Sequence, residues 1–175
     1  MELRTDYHSL PIFRKGEKVA HPIFGVGNIA NIEEKRVLDK SEKYYILDLF
    51  INQMTLMIPV RKAEDIGLRK VVGKERVPEI LEVLSDDMDE MEQDYKSRIK
   101  TQMEMVDSGD LMKVAQVVRN YYQRKKTDVL SATEKSLLER ANKILISEIK
   151  TVYKIDENLA RTMIKEYLAK EKILN

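Results

Sequence analysis

Tyr45-Ile46-Leu47-Asp48-Leu49-Phe50-Ile51 is followed after three residues by Thr55-Leu56-Met57-Ile58-Pro59. In the first stretch Tyr45, Leu47, Leu49 and Ile51 fall on alternate positions, the period of a strand with one buried face. The second runs straight into Pro59, which cannot donate to a ladder and so marks a strand end. Toward the N-terminus, Lys18-Val19-Ala20-His21 stops at Pro22, and Gly25-Val26-Gly27 supplies a turn signal. Val26, Asn28, Ala30 and Ile32 then share one parity and predict another strand, with the polar stretch 36–43 as a hairpin loop. Short strands so closely spaced predict a small twisted barrel, because closure removes exposed sheet edges.

Toward the C-terminus the composition changes. All four prolines (11, 22, 59, 78) and five of the six glycines lie in the first 78 of the 175 residues; beyond them only Gly109 interrupts the chain. Without helix breakers that half should be helical. Pro78 opens a short helix carrying Ile80, Leu81 and Leu84, and the acidic stretch 86–94 suits the start of the next. Ser108-Gly109-Asp110 ends that helix and caps a third, whose stripe is Leu111, Val114, Ala115, Val118 and Tyr122. Ser131-Ala132-Thr133-Glu134 has the capping-box pattern ahead of Leu137, Leu138, Ala141, Ile144 and Leu145. Asp156 starts a last helix through Leu159, Met163, Ile164 and Tyr167. The expected class is α+β. A β-barrel at 1–72 precedes about five helices at 73–175, with a short linker near Arg69–Arg76.

Composition excludes several functions. Zero cysteines leave no disulfide, thiolate nucleophile or Cys-bound zinc. No apolar run is long enough to span a membrane, and the acid-bearing N-terminus is no secretory signal, so a cytoplasmic protein is expected. The 31 basic and 30 acidic residues leave a net charge of +1. Autonomous non-specific DNA binding needs a basic surplus that this chain lacks, so any DNA contact must be local or assisted. Bases do gather at 96–100 and 124–126.

Gly25-Val26-Gly27-Asn28-Ile29-Ala30 fits a dinucleotide fingerprint formally, with Asp48 downstream, but a strand follows it where a helix must hold the pyrophosphate. Gly67 to Gly73-Lys74 has the wrong spacing for a phosphate loop, and Glu75 stands where Ser or Thr would bind magnesium. His8 and His21 have no ligand spacing, and the carboxylates of 86–94 read as a solvated face or helix start. Phe24, Tyr44, Tyr45 and Phe50 could cage a methylated lysine, but core and rim packing is the plainer explanation. No catalytic residue, metal, cofactor or small-molecule substrate is expected.

Phe13-Arg14-Lys15-Gly16-Glu17-Lys18-Val19-Ala20-His21-Pro22 with Gly25-Val26-Gly27 resembles the start of the CarD/CdnL transcription regulators, a module shared with the transcription-repair coupling factor. Met57-Ile58-Pro59 and Gly67-Leu68-Arg69 continue the likeness. In the helical half it extends through Ser108-Gly109-Asp110, Val114-Ala115-Gln116-Val117-Val118-Arg119 and Leu130-Ser131-Ala132-Thr133-Glu134-Lys135.

The resemblance implies a Tudor-like barrel that docks on the β subunit of bacterial RNA polymerase. It also implies a helical domain touching promoter DNA at the upstream edge of the bubble. Members stabilise the open complex with phosphate contacts and an aromatic wedge in the minor groove. Tyr95 falls at the wedge position, usually tryptophan, a residue this chain lacks. Lys96, Arg98, Lys100 and Lys135 fall at DNA-contacting positions, with Ser97 where arginine is common. Lys35, Met57 and Pro59 fall on the polymerase-binding part. The implied protein is a bacterial monomer, near the nucleoid only through polymerase, and weak on DNA alone. The alternative is a polymerase-binding adaptor whose helical half recruits a protein.

Overall fold

The computed structural model describes residues 11–37, 40–51 and 53–170. Five strands, β1 (Lys18–His21), β2 (Gly25–Val37), β3 (Lys40–Leu49), β4 (Thr55–Pro59) and β5 (Arg69–Lys70), form one antiparallel sheet in the order β4-β3-β2-β1-β5. Five helices follow: α1 (Val77–Val83), α2 (Tyr95–Asp107), α3 (Leu111–Thr127), α4 (Ala132–Tyr153) and α5 (Glu157–Ala169). This is the expected order of a Tudor-like β module and then a helical domain.

The sheet wraps Phe13, Val19, Ile29, Tyr45, Leu47, Leu49, Ile58 and Val60 into one apolar core. Tyr45 is fully buried, and its hydroxyl accepts the Phe13 amide at 3.1 Å, so its polar end is satisfied. Three expectations need correction. The parity set on β2 is wrong because a bulge interrupts pairing between Ile29 and Asn31. Ile29 faces the core opposite Leu47, and the extra residue puts Ile32, not Asn31, opposite buried Tyr45. Secondly, 36–43 is not a loop. Arg36, Val37, Lys40, Ser41, Glu42 and Lys43 are paired strand residues, and the hairpin tip at 38–39 lies outside the described residues. Those strands extend past the core, so neither face needs apolar residues and no period-two signal appears. Thirdly, the Tudor-like barrel stands but is not fully closed: among the described residues β4 and β5 each pair with one neighbour, so edges remain.

The helices close round a second core that includes Ile80, Leu81, Val114, Val118, Tyr121, Leu137, Leu145, Ile149 and Ile164. Their starts follow the local chemistry read above. Pro78 lies in the first turn of α1, and Asp94, Asp110, Ser131 and Asp156 cap α2 to α5 by accepting backbone amides. Both bonds of the Ser131–Glu134 capping box are present. The acidic stretch 86–94 is largely exposed, as a solvated charge run should be, but it is a loop up to the Asp94 cap and not a helix. Gln123, Asn120 and Arg119 of α3 bind Asp86, Met88 and Asp89 and pin it as a loop, and only Asp94 serves as a cap.

The expected linker is built into the junction between the halves. Arg69 lies on β5, forks two nitrogens onto Glu148 of α4 at 2.6 and 2.9 Å, and donates to Gly109 O at 2.7 Å. Glu148, 1% exposed, also accepts the Val72 amide at 2.7 Å. Beside this, the Val26 amide donates to Ser147 Oγ at 3.3 Å. Gly25, at φ +74°, lies so close that a Cβ would stand 2.7 Å from Ser147 Oγ and from Ile51. The Gly25-Val26-Gly27 motif therefore serves sheet-to-helix docking. A nucleotide plays no part in its explanation.

Candidate nucleic-acid interface

The start of α2 and the start of α4 meet at the surface. Asp94 caps α2 by accepting the Ser97 amide and hydroxyl, both at 2.8 Å, which commits Ser97 to the cap. Tyr95 follows at the first helical position, 44% exposed. Its hydroxyl lies 3.4 Å from Ser131 Oγ, the cap of α4, so the ring is tied at its tip while much of the residue stays exposed. The hydroxyls of Ser131 and Thr133 hold its pKa below the ordinary phenol value.

Behind the ring is Arg98, and here expectation and structure differ. Arg98 is 6% exposed. Its Nε meets Glu134 Oε1 at 3.1 Å, and one terminal nitrogen donates to Glu92 O at 2.8 Å and Gln93 O at 3.0 Å. With Nε and one terminal nitrogen committed to three protein oxygens and the side chain buried, Arg98 is placed as a support and not as an open phosphate ligand. It supports Tyr95 from beneath, 5.8 Å from the ring centroid.

Glu134 joins the two helix starts, accepting from Ser131 N and from Arg98. Burial pushes its pKa up, but the Ser131 amide, Arg98 and the Ser131 hydroxyl outweigh that and leave it lowered. Sequence reasoning took Glu134 for a cap alone; no local signal marks a bond to a residue 36 positions away.

Lys96, Lys100 and Lys135 are exposed, with Lys100 4.0 Å from Glu104. Lys96 and Lys135 flank Tyr95 on the two helix starts, where backbone dipoles also favour an anion. Lys125 and Lys126 lie over the Tyr122 ring at the end of α3, at 4.2 and 5.5 Å.

On the sheet, strand register gathers the other predicted residues. Lys35 pairs with Glu42, Glu33 with Tyr44 and Tyr44 with Pro59, while Ile46 pairs with Met57. Since side chains alternate, Lys35, Met57 and Pro59 share the face opposite buried Tyr45 and Leu47. Met57 is 50% exposed on edge strand β4. The same alternation breaks up the proposed aromatic cage. Tyr45 points into the core, Tyr44 binds Glu42 on the outer face, and Phe24 packs on His21.

Two family models match, the CarD-like/TRCF RID domain over 13–72 and the CarD C-terminal domain over 79–165. Bacillus subtilis (strain 168) has a protein described as "Putative transcription factor YdeB" that is 31% identical over 146 residues, spanning 83% of this chain and 95% of that one. The chain belongs to the CarD/CdnL family. A solved structure titled "CdnLNt from Myxoccoccus xanthus" is 33% identical, covering 38% of this chain and 94% of its own, with a TM-score of 0.32. The CarD-like proteins are a transcription-factor family and not an enzyme family. Among the described residues no helix of this CarD-like protein is long and apolar enough to cross a membrane. No group of three His, Cys, Asp or Glu there could hold a metal ion, and His8 lies outside that range.

Proposed function

We propose that this CarD-like protein binds the RNA polymerase β subunit through its barrel and stabilises the open promoter complex through its helical domain. The observation that carries this is the exposed Tyr95 ring, fastened by Ser131 and backed by Arg98, between exposed Lys96 and Lys135. An aromatic face held rigid beside cations and helix N-termini can enter an opened base step while phosphates rest on the rim. The barrel supplies the other anchor. Edge strand β4 can extend a partner's sheet through main-chain bonds, with Met57, Pro59 and Lys35 on the adjoining face giving specificity. A net charge of +1 suits a protein delivered to DNA by polymerase.

The test is promoter-complex lifetime after a competitor challenge, alongside footprinting of the upstream bubble edge. Tyr95→Ala should cut the lifetime gain by about five- to a hundredfold, as loss of a stacked aromatic predicts. Capture of the β subunit should be unchanged, and Tyr95→Trp should match or exceed the parent. If Tyr95→Ala folds normally and stabilises complexes as the parent does, the wedge assignment is wrong. Polymerase binding with an unaltered footprint would favour an adaptor.

A further inference from the structure

A groove of about 670 Å³ lies between α3, α4 and α5, on a bank of the helical domain beyond the Tyr95 face. Leu138, Ile146, Ile164 and Leu168 line it, and Val129, 93% exposed, stands at its mouth. Lys125, Lys135, Lys143, Arg161 and Lys165 surround this apolar lining, against Asp128 and Glu139 alone among acids. Both acids are already engaged, Asp128 with Arg124 at 3.3 Å and Glu139 with Lys143 at 2.7 Å. Lys125, Lys135 and Lys165 have no carboxylate within ion-pair distance among the described residues. Lys125 and Lys135 stand on either side of the α3–α4 turn, where the start of α4 also favours an anion.

We infer that this groove is a binding site for a single-chain anionic amphiphile, a long-chain carboxylate or phosphate monoester. The chain would lie on the leucines and isoleucines, and the head would meet Lys125 and Lys135 at the turn or Lys165 on α5. The volume falls within the roughly 300–1,000 Å³ of small-ligand sites, and an apolar body with polar groups at a few points is their usual lining. An uncharged apolar ligand would leave the lysines unused, and a free inorganic anion would leave the apolar lining wet. This site stands independently of the polymerase reading, although Lys135 belongs to both.

The probe is 11-(dansylamino)undecanoic acid, titrated into the full chain below its aggregation range and displaced by saturated fatty acids. Saturable, blue-shifted emission is expected. Affinity of the competitors should rise roughly fourfold per added methylene until the groove is filled, then level off. The alcohol of matched length should compete at least tenfold less well. Lys125→Gln with Lys165→Gln should weaken the probe about tenfold, and Leu138→Trp, which fills the groove, should abolish binding with helical content unchanged. Should Leu138→Trp not fold, the lysine pair decides alone. Non-saturable emission, an alcohol equal to the acid, or full affinity in the lysine variant would overturn the site. Displacement by an acidic amphipathic peptide but by no fatty acid would reassign the groove to a protein partner and overturn the ligand class.

Discussion

Arg98 and Tyr95 are three positions apart on one helix and do opposite things. Removing the Arg98 charge leaves buried Glu134 with only Arg124, 3.8 Å away, and the Ser131 amide, so Arg98→Met should lower stability by about 2–3 kcal/mol. Urea denaturation of the purified variant checks this; a fold of parental stability with a shallower salt dependence on DNA would return Arg98 to the phosphate ligands. His21 gives a second test. It is buried, its Nδ1 accepts the Ile23 amide at 3.1 Å, and burial lowers its pKa from 6.5. Below that value the unfolded chain takes up a proton that the folded site resists. Stability is therefore fully present above pH 6.5 and falls as pH drops toward the depressed folded value. His21→Asn keeps an acceptor without the titration, so its stability should be flatter than the parent's as pH falls below 6.5. Thermal melts across that range compare the two.

Helix starts were legible because their chemistry is local. Ser131 with Glu134, Asp110 after Gly109, and Asp156 each sit within four residues of the amide they cap or pair with. Ser131→Ala should cost about 1 kcal/mol through the lost cap and also release the Tyr95 hydroxyl. Calorimetry reads the first effect, and a rise in the Tyr95 pKa toward 10 reads the second. The bulge at Ala30 was not legible, since one added residue reverses inside and outside and only the partner strand reveals it. Nor was the fate of Arg98, whose burial depends on an acid far along the chain. What fastens a charge run is hidden for the same reason. The stretch 86–94 is held by three α3 side chains that no periodicity within it announces.

The two halves have separate apolar cores, joined by polar contacts around Glu148. Residues 75–175 should therefore unfold cooperatively by circular dichroism, with a lower midpoint than the full chain, since Arg69 and Val72 are then missing. In the intact protein, Arg69→Ala should lose about 2–3 kcal/mol and separate one denaturation curve into two. A single unshifted transition would mean that the Glu148 contacts contribute little. Fluorescence anisotropy over a salt series should show weak binding of the full chain to duplex DNA at physiological salt, and much tighter binding when polymerase is present. Tight binding without polymerase would contradict delivery by a partner.

Under the proposed function, the Arg69–Glu148 junction also turns the molecule into a gauge. A swinging tether would let Tyr95 reach any of several neighbouring base steps once the barrel had landed. Helix α4 clasped to β5 fixes the span between Met57 and Tyr95, so the step reached is set by a length built into the protein. Along B-DNA one base pair is about 3.4 Å of that length. Under the proposed function, promoters lengthened by a single base pair at the upstream fork should lose their benefit. Arg69→Ala, by loosening the span, should respond less sharply to that change while helping the original promoter less.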